Sequence, residues 1–396
     1  MLHRRFGRTE LRMPVLSCGG MRYQNKWQDA PFEEIEKESH ENLVRTIERA
    51  LEVGINHIET ARGYGSSERQ LGQVLPHYPR EELIVQTKVG PTETAAQFRE
   101  EFLDSLARLR LEYVDLLAIH GINDAESLEH SIRPGGCLEE ARRLQREGLA
   151  RHIGFSTHGP TELLLDAVRH EPDGGFDYIN LHWYYIFQKN WPVIEEATRR
   201  DMGVFIISPT DKGGMLHKPP ARLLELTAPL HPIVFNDLFC LSRPEVHTLS
   251  IGAARPEDFD LHLEAVSLYE RREELLPPIE QRLRDVWLDN LGEFGDTFEE
   301  GLPVWHETPG GVNMPVILWL YGLAKAYDMV EYGRMRYNLL GNAGPWFPGE
   351  KVDKVKEHEL AEALARSPWK DRIPAVLQEA HEMLAGEEVK RLSEGE

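Results

Sequence analysis

Cysteine is scarce in this chain: Cys18, Cys137 and Cys240 are an odd, widely spaced set of three. No disulfide framework is expected from them, and a reducing, cytoplasmic setting fits best. Basic residues are also in deficit, with 45 Lys and Arg against 66 Asp and Glu and a formal net charge of −21. Such a balance argues against nucleic acid or an anionic membrane as a principal partner. No stretch approaches the roughly 18 uninterrupted apolar residues of a spanning helix. The opening Met1-Leu2-His3-Arg4-Arg5-Phe6-Gly7-Arg8 is basic but has no apolar run of the signal-peptide kind. A Gly-x-Gly-x-x-Gly fingerprint after the first strand is missing too. Only Gly19-Gly20 stands there, which argues against a doubly wound dinucleotide sheet.

What is present is a core. Hydrophobic residues make up 41% of the 396 and charged residues 28%, as in a soluble globular protein with one large domain and a smaller one. A hairpin is expected over 1–13, then short apolar strands at Val15–Gly20, 55–59, 83–88, 114–119, His152–Phe155, Tyr178–His182, Gly203–Ile207 and Val246–Ile251. Helical spacing follows most of them. Leu43, Ile47, Ala50 and Leu51 precede a stop at Gly54, and further helices are expected at 67–74, 94–109, 137–147, 160–169, 191–199 and 256–268. After Gly203–Ile207 the pattern is less regular. Strands without polar alternation are buried on both faces, as parallel strands are. Eight β/α units in about 270 residues predict a (β/α)8 TIM barrel over 1–274, whose chemistry sits where the strands end. From about 275 the alternation stops, and 275–396 reads as a small all-α domain with helices near 279–288, 315–327, 352–365 and 373–384.

Three consecutive strands end in groups that handle protons. The strand 55–59 ends at Glu59 and leads, five residues on, to Tyr64 between Gly63 and Gly65. The next runs into Lys88, and the one after into His120. An ammonium beside a phenol stabilises its anion, so Lys88 is expected to lower the pKa of Tyr64, with Glu59 holding Lys88 by an ion pair. His120 is suited to orienting a carbonyl oxygen. This group fits hydride delivery to a carbonyl carbon with a proton from Tyr64 to the oxygen, or the reverse.

These residues resemble the hallmark of the aldo-keto reductases: an acid-Thr-Ala-x-x-Tyr-Gly motif, here Glu59-Thr60-Ala61-Arg62-Gly63-Tyr64-Gly65, followed by strand-end Lys88 and His120. The resemblance runs over roughly residues 1–268 and implies a nicotinamide cofactor, NADP(H) by family habit with NAD(H) left open. By that likeness Gly20, Met21 and Arg22 follow the first strand. Gly154-Phe155-Ser156 places Ser156 against the nicotinamide carboxamide, with Asn180 where the family has Gln. Ser208, Lys212 and Gly214 belong to the loop that straps the pyrophosphate, and Gly252 and Arg255 to the adenosine turn. Asp258 lies near where NADP-selective members carry Arg, and Glu59 replaces the usual Asp. Ile207 stands where many members stack an aromatic on the nicotinamide, a part Trp183 is a candidate to supply. His158, Trp183 and Tyr185 are candidate substrate residues, the His182–Tyr185 cluster reading either as a substrate wall or as packing.

The segment from Thr308-Pro309-Gly310-Gly311 through Arg334-Met335-Arg336-Tyr337 to His381-Glu382-Met383-Leu384 resembles the ferredoxin-like tail of one branch of that family. It lacks the cysteines that iron–sulfur clusters need. No cluster or other metal is therefore expected, and Trp305, Trp319, Trp346 and Trp369 are expected to fill the vacated space. The resemblance implies an NAD(P)(H)-dependent oxidoreductase interconverting a carbonyl and an alcohol on a polar, sugar-like small molecule. A redox-neutral epimerase with a tightly held nicotinamide and a nucleotide-sensing binding protein are the alternatives. Oligomeric state is not legible.

Overall fold

The computed structural model describes residues 1–23, 27–355 and 359–390. Among these, eight parallel strands close into a barrel: β3 (Leu16–Gly19), β4 (His57–Glu59), β5 (Ile84–Val89), β6 (Val114–His120), β7 (Ala150–Ser156), β8 (Tyr178–Leu181), β9 (Gly203–Ile206) and β10 (Thr248–Ile251). Strand β10 pairs with both β3 and β9 and so closes the ring. The hairpin β1 (His3–Arg5) and β2 (Arg12–Pro14) precedes it. Its Phe6 and Met13 are fully buried with Ile84, Leu116, Tyr178 and Phe205, plugging the end at which the strands begin. That leaves the opposite end for chemistry.

The helices follow local rules. Helix α1 (Lys37–Glu52) buries Leu43, Ile47 and Ala50 on one face and stops before Gly54, whose φ of +84° a side chain would disfavour. After α2 (Ser67–Leu71), helix α3 (Ala95–Leu109) starts at Thr94, whose hydroxyl accepts from the Gln97 amide at 3.2 Å. An unexpected helix, α4 (Ala125–Ile132), is set by a reciprocal capping box between Asp124 and Ser127. Helices α5 (Cys137–Arg146), α6 (Thr161–Arg169) and α7 (Trp191–Arg199) fall where the apolar spacing places them. The stretch after β9, irregular by sequence, holds α8 (Ala221–Thr227) and α9 (Pro232–Leu241). The second of these, PIVFNDLFCL, is apolar almost all round and shows no helical period to read. Helix α10 (Asp260–Leu268) follows β10.

Charged staples tie the strand starts together. Asp177 takes Arg142 in two bonds of 2.8 and 2.9 Å and the Ile153 amide at 2.8 Å. Asp115 accepts from Val85 N–H at 2.9 Å and from Arg80 and Arg151 at 2.7 and 3.0 Å. Inside, His57 Nδ1 meets Ser17 Oγ at 2.6 Å, and Ser17 meets Thr248 at 2.7 Å.

The described residues divide into two compact units, one within 1–213 and 236–270 and the other within 214–235 and 271–390. In the second, α11 (Arg272–Leu291) is followed by α12 (Phe294–Thr297), α13 (Met314–Tyr327), α14 (Val330–Tyr337), α15 (Leu360–Ala363) and α16 (Ile373–Leu384). Helix α13 is buried nearly all round, and α11, α14 and α16 pack on it. Trp369 is half-buried, edge-on to Phe294 at 5.5 Å. Trp305, at 37% exposure, is not buried and does not fill an interior space. The helix expected over 352–365 reduces to a 3-10 turn at Val352–Lys354 and the short α15, with 356–358 outside the described residues.

Burial pulls the fully enclosed His57 down to about 3, with Lys88 adding to the effect. Below the ordinary imidazole value the unfolded chain takes up a proton that the folded chain refuses, so stability falls as pH drops from about 6.5 toward 3. In urea unfolding, the native protein should lose about 1.4 kcal/mol per pH unit across that window relative to His57→Gln. Parallel pH slopes for the two would refute this.

Candidate active site

Strand register brings the expected groups to one end of the barrel. Glu59 lies opposite Gln86, and Lys88, two residues on, shares Gln86's face of β5. His120 pairs with Ser156, which pairs with Asn180. The loop after β4 is pinned along β5: Thr60 N–H donates to Gln86 O at 2.9 Å and Arg62 N–H to Lys88 O at 3.0 Å. A turn closed by Tyr64 N–H on Ala61 O, at 3.0 Å, then carries Tyr64 back over the strand end. The rigid backbone thus fixes where the phenol stands.

Lys88 is 1% exposed and contacts the Glu59 carboxylate directly. Its ammonium also donates to Thr60 O at 2.9 Å and to the Tyr64 hydroxyl at 3.3 Å. Ser250 Oγ donates to Glu59 at 3.3 Å. The His120 ring meets Tyr64 edge-on at 5.6 Å, and Trp27 does the same at 6.3 Å. Burial pulls the Lys88 ammonium well below its ordinary value. Enclosure, with Tyr23 nearby, pushes the Tyr64 phenol up rather than down, the reverse of the sequence expectation. The reason is that an anion in a low-dielectric wall loses hydration, which outweighs one hydrogen bond from an ammonium already neutralised by Glu59. Cys18 beside them is an inert thiol, pushed by burial up to about 12.

Asn180 is fully buried at the end of β8, and neither its amide nitrogen nor its oxygen has a partner among the described residues. Ser156, next to it across the sheet, accepts from Gly121 N–H at 3.3 Å. A buried primary amide with donor and acceptor both unused matches another carboxamide, which the nicotinamide carries. At Gly20 a side chain would strike Glu59 O at 2.6 Å, so backbone alone fits there. Met21 follows it, and Arg22 pairs with Asp211 at 2.6 Å and lies over Gly252. Ser208 has a left-handed φ of +53°. Lys212 contacts His158 at 2.9 Å, and Gly214 belongs to the second unit. Asp258 accepts from Ala254 N–H at 2.9 Å and from Arg255 at 3.1 Å, so its carboxylate caps the 252–255 turn.

The aromatic cluster divides. Trp183 is 2% exposed and stacked on Phe239 at 4.9 Å, so its ring is committed to packing and does not replace the aromatic absent at Ile207. Tyr185 is half-buried, edge-on to Phe239 at 5.3 Å. Four neighbours escaped the sequence reading: Tyr23, Trp27, Asp211 and Ser250. Only Tyr23 carried a signal, as an aromatic directly after Gly20-Met21-Arg22.

The family described as the Aldo/keto reductase family matches residues 15–220. L-galactose dehydrogenase of Arabidopsis thaliana is 28% identical over 193 residues, 46% of this chain and 59% of that protein. Methylglyoxal reductase DkgA of Escherichia coli (strain K12) is 36% identical over 118 residues, 29% of this chain and 40% of that protein. The chain thus spans about half the length of these curated relatives. An aldo-keto reductase from Bacillus halodurans, in its holo form, is similar in fold, with a TM-score of 0.56 at 20% identity over 70% of this chain and 97% of that one.

Removing one member of the Glu59–Lys88 pair strands a buried charge. Glu59→Leu should therefore cost about 3–5 kcal/mol in chemical denaturation, while Glu59→Leu with Lys88→Met recovers most of the loss. Equal losses in single and double variants would show that the pair is not coupled.

Proposed function

The chain belongs to the Aldo/keto reductase family, and we propose that it reduces the carbonyl of a small polar or sugar-like substrate with a nicotinamide dinucleotide. The observation that carries this reading is the contact of Lys88 with the Tyr64 hydroxyl at 3.3 Å, backed by Glu59 and flanked by His120. When bound, the nicotinamide supplies the hydride. Asn180 and Ser156 would hold its carboxamide, with Gly20, Met21, Arg22, Ser208, Gly252 and Arg255 along the remainder of the dinucleotide.

Tyr64 is the proton donor. Its raised pKa keeps the phenol protonated at neutral pH, which suits giving a proton to a carbonyl oxygen as that oxygen gains charge. Lys88 stabilises the phenolate left behind, Glu59 keeps the ammonium paired, and His120 orients the oxygen between its ring and Tyr64. The names of two relatives, L-galactose dehydrogenase and methylglyoxal reductase, support a small polar carbonyl or sugar as substrate.

The nucleotide is read from Asp258. Its carboxylate already takes the Ala254 amide and Arg255, the groups otherwise placed to receive a 2′-phosphate, and adds a like charge beside it. That supports NAD(H) over NADP(H).

Tyr64→Phe should lower kcat about 10²–10⁴-fold with NADH affinity, followed by fluorescence, within about twofold of native. Undiminished turnover would end the proposed mechanism. Asp258→Arg should shift the NADPH-to-NADH affinity ratio about tenfold toward NADPH, or about 1.4 kcal/mol. A ratio indifferent to this change would remove Asp258 from nucleotide selection.

A further inference from the structure

The end of the barrel at which the strands begin is not sealed everywhere. A cavity of about 340 Å³ lies there, between the turn of the N-terminal hairpin at Arg8, the loop leading into β8 and Arg200 after α7. Val168, His170, Glu171 and Phe176 line it with the two arginines. Its volume is at the lower end of the range of small-molecule sites, roughly 300–1,000 Å³. No residue assigned above to carbonyl reduction borders it.

The walls are held in place. Asp173, Gly174 and Gly175 turn in succession through left-handed φ values of +56°, +84° and +61°. Arg142 clamps that turn, donating to Gly175 O at 2.7 Å while it also holds Asp177 at 2.9 Å. On the facing side the Arg8 backbone N–H donates to Asp201 O, and Arg8 Nη2 donates to Arg200 O at 2.8 Å. Val168 and Phe176, 2% and 1% exposed, give the cavity an apolar floor, and Phe176 packs on Phe155 at 4.7 Å.

The charges around the cavity single out Arg8. Arg5 pairs with Glu10 and Asp201, both at 2.6 Å. Arg200 pairs with Glu196 at 2.7 Å and Glu171 at 3.0 Å, and Arg169 and Arg199 share Glu196. The guanidiniums of Arg5, Arg169, Arg199 and Arg200 are thus matched by Glu10, Glu171, Glu196 and Asp201. Asp173 is exposed and does not line the cavity. Arg8 has no carboxylate partner among the described residues, and the Arg200 carbonyl is the one acceptor its guanidinium meets. His170 Nε2 is likewise without a partner among the described residues.

We propose that this cavity binds a small apolar monocarboxylate, its carboxylate on Arg8 and its body on Val168 and Phe176. A guanidinium with most of its donors unused takes a carboxylate in two parallel bonds. Glu171 at the rim sets the charge. It repels a second negative charge, so a phosphate monoester, which carries nearly two at neutral pH, is disfavoured. The site rests on nothing in the reductase reading, and its occupant need not be a substrate.

The test titrates benzoate, benzamide and phenyl phosphate into the full-length protein by calorimetry, with and without NADH. Thermal melting establishes that each variant is folded. Saturable benzoate binding is expected, weakened at least about tenfold in Arg8→Met. Arg12→Met removes the same charge from an exposed position on the same hairpin, and there affinity should stay within about twofold of native. Benzamide should not bind, and phenyl phosphate should bind more weakly than benzoate. Absence of saturable benzoate binding, or equal affinity in native protein and Arg8→Met, overturns the site. So does an equal loss in Arg8→Met and Arg12→Met, which would be a general effect of charge. Benzamide binding as tightly as benzoate would show that no carboxylate is recognised. Should Arg8→Met fail to fold, the exposed Glu171→Gln decides: phenyl phosphate should gain at least about threefold on benzoate, and an unmoved ratio overturns the proposal. If NADH does not bind but benzoate binding still requires Arg8, the reductase reading falls and the site stands.

Discussion

One buried ion pair organises the site. Placing Glu59 and Lys88 in the barrel wall costs several kcal/mol of hydration for each charge, and only close contact plus further hydrogen bonds offsets it. Both conditions depend on backbone geometry. Strand β4 must pair with β5 so that Glu59 comes within reach of Lys88, and the loop 60–64 must run along β5 so that Thr60 O and the Tyr64 hydroxyl complete the ammonium's shell. The same constraint places the phenol. Tyr64 is therefore held by the arrangement that makes the ion pair tolerable, and the position of the proposed proton donor and barrel stability share a cause.

The two ends of the barrel differ in how fully their polar groups are satisfied. Where strands begin, Asp115 and Asp177 bind arginines and backbone amides together, and the hairpin side chains fill the remaining space. Where strands end, Asn180 is buried with its amide unused. An unsatisfied buried amide costs roughly 1–3 kcal/mol, a cost that persists in a fold when a ligand recovers it. That asymmetry matches the division of stability and function between the two faces of barrels of this kind.

Electrostatics at the mouth run against those of the whole molecule. An acidic protein with the nucleotide cofactor proposed here must concentrate positive charge where it binds, because the long-range field is repulsive. Arg22 and Arg255 are such concentrations, and a carboxylate tempers each, Asp211 on Arg22 and Asp258 on Arg255. The second unit has no cysteine with which to hold an iron–sulfur cluster. It is built on the apolar helix α13 and on aromatic contacts such as Trp369 with Phe294.

The strands and their order were legible because a buried parallel strand is an uninterrupted apolar run, and the strand-end residues Glu59, Lys88 and His120 interrupt those runs where chemistry belongs. Helix α7 was legible from its spacing. Helix α9 was not, since a helix apolar on every side has no period. The direction of the Tyr64 shift lay beyond the sequence, because it depends on how much water the wall excludes and not on which cation is near. So did the commitment of Trp183 to Phe239 and the chain of bonds from Lys212 to Ile207, which join residues from three separate strand ends. Sequence by itself determined the barrel, from the periodicity of its strands, and the family, from the motif around Tyr64, and it marked Glu59, Lys88 and His120 as candidates because they stand at strand ends. Tertiary structure alone decided their partners and the direction in which burial moves Tyr64 and Lys88, since desolvation and hydrogen bonding exist only once distant segments are packed together.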